Sequence, residues 1–380
     1  MLGLNRRELI YAGAGAPLAC MSGGAVAASA VASPDRWNAT LDTVFAQRAP
    51  VALAGAVVTR EGVAWSGVRG VRRAGGDEAA GRNDRWHLGS NTKAMTAALY
   101  GRLVDRGAAR WDTPLTEVFS DLKVHPDWSG ATLLDLMHHR AGLTDEGVMG
   151  PLWLMTARAD PRPLPEQRTA IATQALRVPP AGERGRFDYG NANYVLVGAA
   201  IERIARSPWE AVIRRDLVEP LGLSSAGIGA PQGEDGSDDI WGHSGSGDAR
   251  RAMDPALAVS DNPLAMAPAG GVYMTIPDYA RFLRVFLEDG GNWLKPATVA
   301  RLAEPSGEGV EAYACGWGVR RSATGERLLQ HEGSNTLWHA VALVAPERGW
   351  AIVGLTNEGP ANGAARDLAL QLMSLAPGGA

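Results

Sequence analysis

Trp86-His87-Leu88-Gly89-Ser90-Asn91-Thr92-Lys93-Ala94-Met95-Thr96 is the stretch around which this chain is organised. A glycine precedes the serine. An amphipathic run from Thr92 to Arg106 follows, with Met95, Leu99, Leu103 and Val104 at helical spacing. The pattern places Ser90 where a helix begins and Lys93 three positions later, on the same helical face. The ammonium then stands at the positive end of the helix macrodipole, where that field and partial burial are expected to lower its pKa. An amine so tuned can take a proton from a serine hydroxyl. Of the 37 basic residues only Lys93, Lys123 and Lys295 are lysines, and arginine does not act as a base in a protein. Ser120-Asp121-Leu122-Lys123 repeats the spacing between Pro114 and Pro126 and reads as a solvated turn or short helix. The spacing alone is therefore a weak signal, and partners must come from elsewhere.

The chain opens with Asn5-Arg6-Arg7-Glu8-Leu9-Ile10 and a small, apolar stretch to about Ala32. Residues 1–30 read as a twin-arginine secretory signal, with cleavage after Ala28-Ser29-Ala30 and a periplasmic or secreted destination. A membrane anchor is the rival, against which Gly13, Gly15, Pro17, Gly23 and Gly24 speak. Leu18-Ala19-Cys20 raises a lipoprotein alternative, with Pro17 where a large aliphatic residue is expected. Cleavage removes Cys20 and leaves Cys315 without an intrachain disulfide partner, so residues 31–380 must rely on their core. At 46% hydrophobic composition that core is ample. The formal charge of −4 becomes −5 without Arg6, Arg7 and Glu8. No basic patch suggests nucleic acid, and no Cys/His cluster has zinc spacing. His138-His139 read as surface or core histidines.

Val51–Thr59 and Gly62–Val71 read as a hairpin turning at Arg60-Glu61-Gly62, and Arg85–Leu88 as a short strand entering Ser90. From about residue 111 to 263 the pattern is mostly helical, with helices at Thr132–His139, Gln167–Arg177, Asn193–Ala205 and Trp209–Leu217. Asp235–Gly247 reads as a polar loop. Sheet character returns at Gly270–Thr275. Helices follow at Asp278–Glu288 and Pro296–Ala303. Strands are then expected at Cys315–Arg320, Arg327–His331, Trp338–Ala345 and Trp350–Thr356, and a helix at Ala361–Leu375. These elements predict an α+β fold in which both chain ends build one antiparallel sheet and an inserted helical region faces it across an active site.

Two segments supply partners for Ser90. Among seven tyrosines only Tyr189 has Asn two residues on, in Phe187-Asp188-Tyr189-Gly190-Asn191. A phenol near cations can act as base toward Ser90 and as acid toward a leaving group, while the Asn191 amide holds Lys93 and a substrate carbonyl. The structural alternative packs the Tyr189 ring under its loop and uses Asn191 and Asn193 as helix caps. The second segment, His331-Glu332-Gly333-Ser334-Asn335, stands at a strand end, and Gly333 lets substrate approach the backbone. The N–H groups of Ser90 and Ser334 then form an oxyanion site, each such donor contributing ~2.7–4 kcal/mol to a transition state. His331 is preferred over His87 and His243 because strand patterns flank it; His243 is left as a rim residue. Trp153, Trp241 and Trp338 are candidates for an apolar cleft wall or for core.

In this order the three elements resemble the serine hydrolases of the β-lactamase-like, penicillin-binding-protein-like superfamily, which share Ser-x-x-Lys, Tyr-x-Asn and a Lys/His-x-Gly strand. Thr132–Leu143, Asn191–Gly198 and Pro268–Phe282 are similar to further segments of that family, and the likeness spans roughly residues 40–375. The resemblance implies an antiparallel sheet flanked by helices, with a mostly helical subdomain. It implies Ser90 as the acylated nucleophile, Lys93 as its activator and Tyr189 as general base. Asn191, His331 and Gly333 position substrate. The reaction implied is acyl transfer through an acyl-enzyme, then hydrolysis, on a small-molecule or peptide ester, amide or β-lactam, with no cofactor or metal. His331 stands where class C β-lactamases usually carry Lys, which removes a permanent cation facing a substrate carboxylate. That departure favours esterase-like or D-amino-acid peptidase and amidase relatives. A binding or sensor protein of the same fold with little turnover is the alternative.

Overall fold

The computed structural model describes residues 33–232, 239–322 and 324–376. The expected leader and its Cys20 lie outside these residues, as does part of the loop expected at Asp235–Gly247. No helix among the described residues is long and apolar enough to cross a membrane.

The frame is one six-stranded antiparallel sheet in the order β2-β1-β11-β10-β9-β8. Its strands are β1 (Ala52–Thr59), β2 (Gly62–Gly70), β8 (Gly318–Arg321), β9 (Arg327–Ser334), β10 (His339–Ala345) and β11 (Trp350–Thr356). The N-terminal hairpin docks on the C-terminal meander through β1 and β11, in register from Leu53↔Thr356 to Thr59↔Trp350. The sheet is thus closed by residues from the two ends of the chain, as the sequence pattern predicts.

Strands β1, β10 and β11 are almost continuously apolar because both faces of the sheet are covered. On one face Leu53, Val57, Val341, Leu343 and Ile352 pack against Trp37, Leu41 and Val44 of α1 (Pro34–Arg48), and against Leu368 and Leu372 of α8 (Ala364–Ser374). The opposite face, with Ala54, Ala56, Ala342, Val344 and Val353, belongs to the larger core. That core contains α2 (Thr92–Asp105) and α7 (Ile276–Leu287). It extends into α3 (Leu133–Met137), α4 (Leu164–Leu176) and α5 (Asn191–Ala205). Removing that apolar area from water, at ~25 cal/mol per Å2, is the main force holding the layers together.

Some expected elements shift. The Thr132–His139 helix is five residues long, started by a capping box between Thr132 and Asp135 and ended before His138. The polar run before Gly247 contains a strand, β5 (Gly242–Ser244), paired with β6 (Arg251–Met253). The strand expected to stop at His331 continues to Ser334. Gly270 closes a helical turn, α6 (Ala267–Gly270), and β7 is confined to Val272–Met274.

Candidate active site

The short strand β3 (Trp86–His87) delivers the chain to Gly89, whose φ of 51° turns it into a single 3-10 turn, Gly89–Asn91, ahead of α2. Ser90 therefore lies in that turn rather than inside the α-helix. Lys93, fully buried, donates from Nζ to Ser90 Oγ at 3.0 Å, Asn191 Oδ1 at 2.8 Å and the Ala269 carbonyl at 2.8 Å. Three oxygens thus surround the Lys93 amine. The first turn of α2 is fixed to α6 and β7 beside it: Thr96 donates to the Pro268 carbonyl at 2.7 Å, and Val272 N donates to Thr92 Oγ1 at 3.1 Å.

Tyr189 arrives from the segment before α5, with its ring centroid 4.9 Å from Lys93 Nζ. Asn191 opens α5. Its amide orientation is set by Asp145, a carboxylate that only accepts: Asn191 Nδ2 donates to Asp145 Oδ2 at 3.2 Å, which leaves Oδ1 for Lys93. The other Asp145 oxygen takes the Ala192 N–H at 2.7 Å, so Asp145 caps α5. The capping alternative for the two asparagines does not hold, because Asn193 donates to the Leu143 and Gly190 carbonyls instead.

His139, buried and in left-handed backbone (φ 58°), straddles Tyr189. Its carbonyl accepts Asp188 N–H at 2.9 Å, its Nδ1 accepts Gly190 N–H at 3.4 Å, and its ring centroid lies 4.5 Å from that of Tyr189. Burial, reinforced by the Lys93 charge, holds the His139 pKa well below its ordinary value. Asp145 and Tyr313 escape the sequence reading, and His139, read there as a surface or core histidine, proves buried against Tyr189. The only signal is that His139 lies within, and Asp145 two residues beyond, the Thr132–Leu143 segment already singled out.

The end of β9 lies flat on the nucleophile turn. A Cβ on Gly333 would stand 2.0 Å from the Leu88 carbonyl and 2.7 Å from Ser90 N, and one on Gly89 would stand 2.2 Å from Ser334 N. Gly333 is thus required for contact with the turn itself, and it also lines the cleft over Ser90. His331 differs from expectation. It is buried, and the cleft beside Ser90 is not lined by it. Its Nδ1 donates to the Glu332 carbonyl at 2.9 Å, so Nε2 accepts from the Tyr313 hydroxyl at 3.0 Å. Burial, then the Lys93 charge, push the His331 pKa down to about 3, so the ring is neutral near pH 7. It backs Tyr189, with ring centroids 6.2 Å apart.

A cleft of about 410 Å3 opens over Ser90, lined by Tyr189, Asn191, Gly333 and Ser334, with Phe187 and Met266 as apolar wall. None of Trp153, Trp241 and Trp338 lines it; Trp338 is fully buried. His243 is no rim residue either. It is buried, taking Ala74 N–H on Nε2 at 3.0 Å and lying 2.9 Å from the Asn357 carbonyl through Nδ1. His138 is a core histidine beside the Cys315 thiol, and Lys123 is exposed as expected.

Comparison with known proteins agrees with this architecture. A family model described as Beta-lactamase matches residues 37–376. Penicillin-binding protein 4 of Amycolatopsis lactamdurans is 27% identical over 80% of this chain and 80% of its own length. A D-alanyl-D-alanine-carboxypeptidase/endopeptidase of Escherichia coli is 25% identical over 59% of this chain, a match that spans 56% of the relative. Among solved structures, the D-amino acid amidase of Ochrobactrum anthropi superposes with a TM-score of 0.71 at 17% identity, covering 89% of this chain and 99% of the amidase.

Proposed function

Given that this chain belongs to the Beta-lactamase family, we propose that it is a serine hydrolase working through an acyl-enzyme on Ser90. The observation that carries the reading is Lys93 Nζ, buried and bonded at once to Ser90 Oγ and Asn191 Oδ1. Ser90 Oγ attacks the substrate carbonyl carbon, and its proton passes into the Lys93–Tyr189 pair. The developing oxyanion is received by the N–H groups of Ser90 and Ser334. Tyr189 then protonates the leaving alcohol or amine. In the second half Tyr189 draws a proton from water, the water oxygen attacks the acyl carbon, and Ser90 regains its hydrogen as the acid departs. Asn191 positions substrate from the cleft side, while His331 acts behind Tyr189.

The substrate class follows from charge. His331, buried and neutral behind Tyr189, does not supply the cleft with the cation that a lysine at that position would offer a substrate carboxylate, which favours esters and amides over β-lactams. The names of the bacterial carboxypeptidase and of the amidase support the amide side of that range. Export follows from the Arg6-Arg7 leader and is part of the proposal. Turnover of p-nitrophenyl esters, nitrocefin and D-Ala-D-Ala peptides tests it. Ester or amide turnover that exceeds nitrocefin turnover and disappears in Ser90→Ala is the expected result. Stoichiometric acylation without turnover of any of them identifies a penicillin-binding or sensor protein instead.

A further inference from the structure

The two N–H groups assigned to the oxyanion come from separate segments, the Gly89–Asn91 turn and the end of β9, and one carboxylate stands behind both. Asp261 lies between β6 and α6, with His87 facing it from β3. Gly89 N–H donates to His87 Nδ1 at 3.1 Å. A ring nitrogen that accepts carries no proton, so the hydrogen is on Nε2, which donates to Asp261 Oδ2 at 3.1 Å. On the other side the Asn335 Oδ1 accepts the N–H groups of Leu337 at 3.1 Å and Trp338 at 3.2 Å. That turns its amide nitrogen to Asp261 Oδ1 at 2.9 Å and to the Ser260 carbonyl at 3.3 Å. His87 also stacks on Trp338, with centroids 5.6 Å apart and planes 28° apart. The Asp261 carbonyl is itself held by Arg158, through Nε at 2.9 Å and Nη2 at 2.7 Å.

One oxygen of Asp261 therefore reaches the residue before the nucleophile through His87, and the other holds the residue after the second donor. His87 and Asn335 are both buried, and the Asp261 side chain is 10% exposed. We propose that Asp261 is a positioning residue for the oxyanion site, acting through His87 on the Ser90 N–H and through Asn335 on the Ser334 N–H; this rests on the hydrolase reading above. Asp261 moves no proton and touches no reacting atom. It fixes the distance between two donors that must converge on one oxygen. A misplacement near 1 Å in such a site costs roughly a hundredfold in rate.

The test uses Asp261→Ala, His87→Phe (which keeps a ring on Trp338) and the double variant, with Asp261→Asn as the volume-preserving substitute if the alanine variant does not fold. On a p-nitrophenyl ester, Asp261→Ala is expected to lower kcat roughly a hundredfold with KM within about twofold. The double variant is expected to be no slower than Asp261→Ala alone, because the two residues act in series. Hydrogen exchange is expected to speed up together in the segments 86–93 and 333–338. A folded Asp261 variant with unchanged kcat, a loss that lies in KM, or losses that multiply in the double variant overturns the proposal. If the wild-type chain neither hydrolyses the ester nor is labelled at Ser90, the hydrolase reading has failed. Exchange then decides the tether by itself, and unchanged exchange in both segments refutes it.

Discussion

Tyr189 is held in place before any substrate arrives. His139 grips the peptide units on either side of it, and the rings of Tyr313 and His331 each stand 6.2 Å from its own. Phe at 189 keeps every one of those ring contacts and loses only the hydroxyl. Tyr189→Phe is therefore expected to remain folded while its acylation rate falls by roughly 10²–10⁴. Equal acylation rates would remove Tyr189 from the proton path. At this scale the sequence was informative wherever chemistry has a fixed spacing. Ser90 and Lys93 share a turn, and Tyr189 and Asn191 are two apart. It was silent on Asp145 and Tyr313, and gave His139 no role beyond a surface or core histidine, because no local period marks them. Asp145 acquires meaning only when α5 brings Asn191 to it, and Tyr313 only when β9 turns His331 away from the cleft.

Among the elements, the contact between β9 and the Gly89–Asn91 turn is the most demanding. Gly333 has ordinary strand surroundings in sequence, yet its missing side chain is what lets Leu88 and Ser90 lie against it. Gly333→Ala is expected to destabilise the fold by about 1–3 kcal/mol, as overpacking does. The loss appears as a lower urea midpoint at unchanged slope, with acylation slowed as well. A variant as stable and as active as the wild type contradicts the close approach. The apolar runs that became β1, β10 and β11 were legible because they are buried on both faces. Strand β5 was not, since Gly242-His243-Ser244 has the composition of a loop and is extended only by pairing with Arg251–Met253. The end of β9 was hidden for a related reason: Glu332-Gly333-Ser334 has weak strand preference, and β10 supplies the pairing.

For the molecule as a whole, the buried histidines set the response to acid. Burial first, then neighbouring charge, lowers the pKa of His331 to about 3 and that of His138 to about 4; His139 and His243 shift the same way. The unfolded chain protonates these rings near pH 6.5 while the folded one does not, so the unfolded state binds more protons below that pH. Stability is complete above about 6.5 and declines as pH falls toward the folded values, by about 1.4 kcal/mol per pH unit for each such ring. Glu332 adds to the loss between its ordinary 4.5 and about 2; burial opposes its ionisation, but hydrogen bonds from His339 and Arg366 outweigh it. His331→Gln, which cannot titrate, is expected to lose less stability between pH 7 and pH 5 than the wild type in urea titrations. An equal loss would place the acid sensitivity elsewhere. The two-ended sheet that carries His331 was readable from strand patterns at both termini, whereas the depth of each histidine was not. The most direct test of the whole account is intact-protein and peptide mass spectrometry after exposure to a fluorophosphonate. One adduct per chain, on Ser90, absent in Ser90→Ala and in Lys93→Arg, is the predicted result. No adduct, or one on another serine that survives Ser90→Ala, contradicts it.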